Sequence, residues 1–183
     1  MKRVRSPNNL VWIDLEMTGL NPATDVIVQA AVIITDSKLT VLEEYCCDIW
    51  QPPERLCGMS PFVRDMHTKS GLLDRVTKSR LEVQAAERHL LERIAGWCEF
   101  PATLCGNSVG QDKRFLDAYM PGVGRFLHYR IVDVSSLKVL MRLWYGEGAE
   151  FKKPDDQKHD ALFDVQQSIA ELDFYRKKYL VNV

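Results

Sequence analysis

The sequence predicts an α/β domain on a mixed five-stranded sheet, a three-stranded antiparallel meander followed by parallel strands and flanked by helices. Three observations carry this. Three β-type runs crowd into the first 50 residues, at Leu10–Met17, 26–35 and 41–50. Helical and strand patterns then alternate to the end of the chain, the arrangement that parallel neighbours need for their crossovers. The second run, VIVQAAVIIT, is almost continuously apolar, which marks a strand buried on both faces.

Leu10–Met17 (LVWIDLEM) reads as a strand that ends at the Thr18-Gly19 turn. Pro52 and Pro53 break the chain after the meander. Ser60-Pro61 is a helix start, an N-cap residue followed by proline at the first helical position, and the helix runs through His67. A longer helix lies within 81–100, where Ala86, Leu90, Ile94 and Trp97 form one apolar stripe. A short strand at 103–106 leads to a helix at 111–120 that stops before Pro121. A strand at 130–134 precedes a helix through Trp144, with Ser135 as its cap. The polar stretch 146–158, carrying Gly146, Gly148 and Pro154, reads as a loop. The last helix aligns Leu162, Val165, Ile169, Leu172 and Tyr175.

At 183 residues the chain is expected to form one domain, with residues 1–9 a flexible N-terminus. No apolar run reaches the roughly 20 residues of a membrane span. Five cysteines form no C-x-x-C pair, so zinc is not expected and a reducing compartment is. The expected location is the cytoplasm, or the mitochondrion in a eukaryotic source. With 24 basic and 25 acidic side chains the net charge is −1, against the basic excess of proteins that hold long nucleic acids.

Asp14 and Glu16 lie two apart on a strand, so their side chains leave one face while Ile13, Leu15 and Met17 point into apolar packing. Paired carboxylates on such a sheet are costly without a cation between them, and Mg²⁺ takes one or two carboxylates together with water and phosphate oxygens. An isolated D-x-E is more often a turn cap or a wet strand end; here Gly19 follows, and would let backbone approach a ligand. Asp112 opens a helix, where free N–H groups favour an anion, and alone it describes a stabilising first-turn residue. His159 and Asp164 are five apart, about 140° round a helix. His159 therefore belongs to the loop or the first turn and Asp164 to the helix proper. A loop histidine beside a metal suits a general base, and by itself is only a surface histidine.

Taken together, Asp14 to Leu20, Asn107 to Asp112 and His159-x-Ala161-x-x-Asp164 resemble the three motifs of the DEDDh exonucleases. Gly106-Asn107-Ser108, Tyr119-Met120-Pro121, His128-Tyr129-Arg130 and Asp133-Val134-Ser135 narrow the resemblance to the oligoribonuclease branch, from about Leu10 to the last helix. That resemblance implies an RNase H-like fold, a homodimer, and hydrolysis of short oligoribonucleotides, especially dinucleotides, from the 3′ end to nucleoside 5′-monophosphates. It implies two divalent cations, Mg²⁺ or Mn²⁺, on Asp14, Glu16, Asp112 and Asp164, with His159 as general base. Leu20 would wedge against a base, and Phe62 with His67 would complete the nucleotide pocket. Ser108, Arg130 and Ser135 would grip the 5′ phosphate, Tyr129 would reach in from the dimer mate, and Gln111 joins the substrate-contact set.

The chain departs from the family pattern at four places. Phe62 stands for a usual tryptophan, Gln29 for a glutamate and Phe163 for the aspartate before Asp164, while Asp160 follows His159 where a basic or neutral residue is common. None is among the five catalytic side chains. Two rival readings share the motifs: a broader DEDDh exonuclease that trims RNA or proofreads DNA, and an inactive RNA-binding protein on the same fold.

Overall fold

The computed structural model describes residues 3–153 and 160–180. β1 (Leu10–Met17) pairs antiparallel with β2 (Ile27–Thr35), and β2 with β3 (Val41–Asp48). On the other side β1 runs parallel to β4 (Ala102–Gly106), and β4 to β5 (Leu127–Asp133), giving the order β3-β2-β1-β4-β5. Four helices separate β3 from β4: α1 (Pro53–Cys57), α2 (Pro61–Lys69), α3 (Leu72–Lys78) and α4 (Val83–Trp97). α5 (Gly110–Tyr119) and α6 (Pro121–Phe126) connect β4 to β5; α7 (Val134–Tyr145) and α8 (Ala161–Lys178) follow.

Helices cover both faces of the sheet, so every residue of β2 is buried, as its unbroken apolar run requires. The two-residue period of β1 sorts its side chains. Val11, Ile13 and Leu15 pack with Leu90, Ile94 and Trp97 of α4 and Phe115 of α5. Trp12 goes to the opposite face, among Met141 of α7 and Val165, Ile169 and Tyr175 of α8. Asp14 and Glu16 continue the Trp12 face and therefore meet α8. Close packing of strands also fixes Gly106: a Cβ there would lie 3.0 Å from the Ile13 carbonyl oxygen.

Several local expectations change. Pro53 and Pro121 do break what precedes them, but each also opens a helix, because proline at the first helical position forfeits no helical hydrogen bond. Ser60 does cap α2, accepting from the Val63 N–H at 3.3 Å. Ser135 does not cap α7; Asp133 does, accepting the Ser135 N–H at 3.0 Å, since the strand ends one residue earlier. Within the N-terminal stretch expected to be flexible, two side chains make contacts with the body of the domain. Asn9 donates to the Trp97 carbonyl at 2.7 Å and Arg3 pairs with Glu43 at 2.8 Å. The 146–158 loop contains a 3₁₀ turn, Glu147–Ala149, whose Ala149 is buried. Among the described residues no helix is long and apolar enough to cross a membrane.

Candidate active site

The first turn of α8 lays Asp164 over the acidic end of β1. One carboxylate oxygen from each of Asp14, Glu16 and Asp164 lies within 4.8 Å of the others. Asp112, in the first turn of α5, stands beside them from the adjacent crossover. Its Oδ1 accepts the Leu15 N–H at 2.9 Å, so it is a buried backbone partner as well as a candidate ligand. It is not one of the three acids that come within 4.8 Å of each other.

For Asp14 and Glu16, burial is the first cause that raises the carboxyl, and repulsion from neighbouring carboxylates is the second. The Asp14 carboxyl is held well above its ordinary range by burial, then by Asp112, Glu16 and Asp164. Glu16 is pushed up to about 8 by burial and by Asp164, Asp160 and Asp112. Asp112 rises to about 7 through burial, opposed by its bond from the Leu15 amide. Such a site stores a demand for positive charge. Lys153 meets part of it: its Nζ lies 3.2 Å from Asp164 Oδ1, and its charge lowers the Asp14 value. The acidic donors are all hard carboxylate oxygens, with no thiolate among them. They fit a hard divalent cation.

Two groups of predicted contact residues flank the acids. At the first, Leu20 and Phe62 are exposed, and Gln111 donates to the Leu20 carbonyl at 2.6 Å, holding that loop against α5. His67 is different. Its ring is 0% exposed and its Nε2 sits 2.9 Å from the Met17 carbonyl oxygen, with Nδ1 3.9 Å from Glu16 Oε2. It braces the end of β1, beside Glu16. Gly19 likewise serves structure: a Cβ there would lie 2.5 Å from the Asp25 carboxylate, which accepts from Thr18 Oγ1 and the Asn21 N–H.

The second group gathers where β4 and β5 end. Ser108, with φ 52°, and Ser135 approach through their hydroxyls at 3.4 Å. Arg130 and Tyr129 are exposed on β5, with the guanidinium 4.9 Å from the Tyr129 ring centroid. Asp133 organises this corner; the sequence reading holds it in a motif block but gives it no role. Its Oδ1 accepts from the Ser108 N–H, the Ser135 N–H and the Ser135 hydroxyl, at 3.0, 3.0 and 2.6 Å. An aspartate ending a strand just before a helix was the available signal. Lys153 was missed, and nothing in its local sequence marks it. His159 lies outside the described residues.

A family model described as Exonuclease matches residues 11–172. The chain belongs to the exonuclease family. Its relatives include the oligoribonuclease of Francisella tularensis subsp. tularensis (strain WY96-3418), 44% identical across 97% of this chain and 99% of that one. The oligoribonuclease of Ectopseudomonas mendocina (strain ymp) is 45% identical over 97% and 99%. Among solved structures, an exonuclease I superposes with a TM-score of 0.69 at 17% identity, covering 94% of this exonuclease and 41% of the other chain. The zinc-bound E. coli ExoI–ssDNA complex gives 0.68 at 17%, covering 95% and 41%. The chain thus spans about 41% of those larger proteins, and shares with them the RNase H-like exonuclease fold. As a member of its family it is a phosphodiester hydrolase.

Proposed function

We propose that this exonuclease is a 3′-to-5′ exoribonuclease that degrades short oligoribonucleotides, dinucleotides above all, to nucleoside 5′-monophosphates. The observation that carries the reading is the convergence of Asp14, Glu16 and Asp164, with Asp112 beside them, from three distant stretches of chain. Near-full-length relatives named oligoribonuclease support the substrate class.

Asp14, Glu16, Asp112 and Asp164 would hold two divalent cations, Mg²⁺ or Mn²⁺. When bound, such ions supply a lowered pKa to water and neutralise charge on the leaving 3′ oxygen. His159 accepts the proton of the attacking water. Ser108, Arg130 and Ser135 grip the 5′ phosphate, the arginine through charge-assisted bonds and the serines through the orientation that Asp133 gives them. A clamp at a fixed separation from the acids acts as a ruler that favours very short chains. Leu20 and Phe62 receive bases; stacking on an aromatic ring is worth about 1–3 kcal/mol per base and ignores sequence. A few phosphates need only this local pocket, which accounts for the net charge of −1.

The active form is a homodimer in this reading. The edge strand β5 and helix α7 expose Tyr129, Ile131, Val139, Leu143, Trp144 and Tyr145, an apolar surface that a second copy would cover while bringing Tyr129 to its neighbour's site. Free thiols at all five cysteines suit a reducing, cytoplasmic setting. The test is digestion of a 5′-labelled diribonucleotide and a longer RNA side by side with Mn²⁺. Mononucleotide release fastest from the dinucleotide is expected. Equal rates would return the broader exonuclease, and no release the inactive binder.

A further inference from the structure

The departures at positions 29 and 160 meet in one circuit of hydrogen bonds. Across the sheet Glu16 stands opposite Gln29, and Gln29 opposite Asp48, so three polar side chains form a row on the α8 face. Gln29 Nε2 donates to Asp48 Oδ1 at 2.8 Å, and its Oε1 accepts the Ala161 N–H at the start of α8 at 2.9 Å. Asp48 Oδ2 accepts from Arg75 Nε at 3.1 Å, and Arg75 Nη2 donates to Asp160 Oδ2 at 3.3 Å. Asp160 closes the ring as the cap of α8, its Oδ1 accepting the N–H groups of Leu162 and Phe163 at 3.2 and 3.4 Å. Its carbonyl oxygen accepts the Asp164 N–H at 3.0 Å.

We propose that Gln29, Asp48, Arg75 and Asp160 are positioning residues that lock the first turn of α8 onto β2 and β3, and so hold Asp164 against Asp14 and Glu16 for cation binding. Only an amide at position 29 serves both neighbours, because Asp48 offers acceptors and Ala161 a donor. A carboxylate there would lack the proton that Asp48 needs and would set three like charges in a row, Glu16, position 29 and Asp48, while the Arg75 cation is already shared between Asp48 and Asp160. Asp160 joins two functions in one side chain: one oxygen caps the helix and the other holds the guanidinium.

The inference rests on the cation-dependent reading above. Its test compares Mn²⁺ affinity by titration calorimetry, and kcat and KM on a diribonucleotide, across a short series. Gln29→Glu is expected to weaken Mn²⁺ binding and lower kcat by roughly 10- to 100-fold, the usual effect of removing a partner that orients metal ligands, with KM little changed. Gln29→Glu with Asp48→Asn should recover most of the loss, since the amide introduced by the second substitution donates to the new carboxylate and still accepts from Arg75. Asp160→Asn, which keeps the cap and drops the ion pair, should fall between wild type and Asp160→Ala. Wild-type behaviour of Gln29→Glu, or a double variant no better than the single one, would overturn the clamp. A wild type that binds Mn²⁺ without releasing mononucleotide would sink the functional reading alone, and the affinity series would still decide the clamp. A wild type that binds no Mn²⁺ would overturn both.

Discussion

Asp112 does two jobs at once. It faces the acids of β1 and it satisfies the buried Leu15 amide. Asp112→Asn, which retains an acceptor, should abolish turnover with little loss of stability. Asp112→Ala should in addition orphan that N–H and cost about 1–3 kcal/mol in denaturant unfolding. Equal stability of the two variants would remove the backbone role. The sequence reading keeps Asp112 out of the core, because a hydrogen bond between residues so far apart in the chain leaves no local pattern. The raised carboxyls give a second prediction. Glu16 titrates near 8 in the folded protein against an ordinary 4.5, so between those values the folded state binds more protons than the unfolded one. Its contribution to stability is therefore full below pH 4.5 and lost as pH rises toward 8. Without divalent metal, melting temperature should fall across that window. Glu16→Gln should flatten the fall and saturating Mn²⁺ should reverse it; an unchanged slope in the variant would show that Glu16 is ordinary.

At the level of elements, helix starts organise the site. α5, α7 and α8 begin beside it, each bringing a cap or a first-turn residue. The α7 start couples stability to substrate grip through Asp133. Asp133→Ala should cost about 0.5–2 kcal/mol as a lost N-cap. It should also raise KM for a 5′-phosphorylated dinucleotide more than for longer RNA, because Ser108 and Ser135 lose their common acceptor. Arg130→Ala should show the same substrate bias without the stability loss. Equal effects on both substrates would argue against a phosphate ruler. The β1, α2 and α4 patterns are legible because their periods are local and strong. The start of α7 shifts by two residues from its sequence expectation, since Asp133 and Ser135 are both good caps and only the end of the β4–β5 pairing selects between them.

For the protein taken entire, sheet order sets which surfaces remain open. β5 is an edge strand, and the exposed apolar side chains of β5 and α7 lie next to the serine and arginine clamp. Trp144→Glu together with Leu143→Glu should yield monomers in sedimentation and reduce diribonucleotide cleavage, because each site would lose its partner's Tyr129. A monomeric wild type would remove the homodimer from the mechanism, and fully active monomers would remove Tyr129 from the site.

The order of elements, and the chemical type and spacing of the acids, are written in the chain itself. Alternation on β1 alone puts Asp14 and Glu16 on one face, since side-chain direction along a strand depends only on the backbone period. The motif resemblance supplied the rest of the acidic set. Packing settled everything that depends on partners distant in the chain. It set His67 against the Met17 carbonyl, gave the space beside Gly19 to Asp25, and brought Lys153 to Asp164. It also joined Gln29 to the cap of α8. Burial and hydrogen-bond pairing are properties of the packed chain, and no local run of residues encodes them.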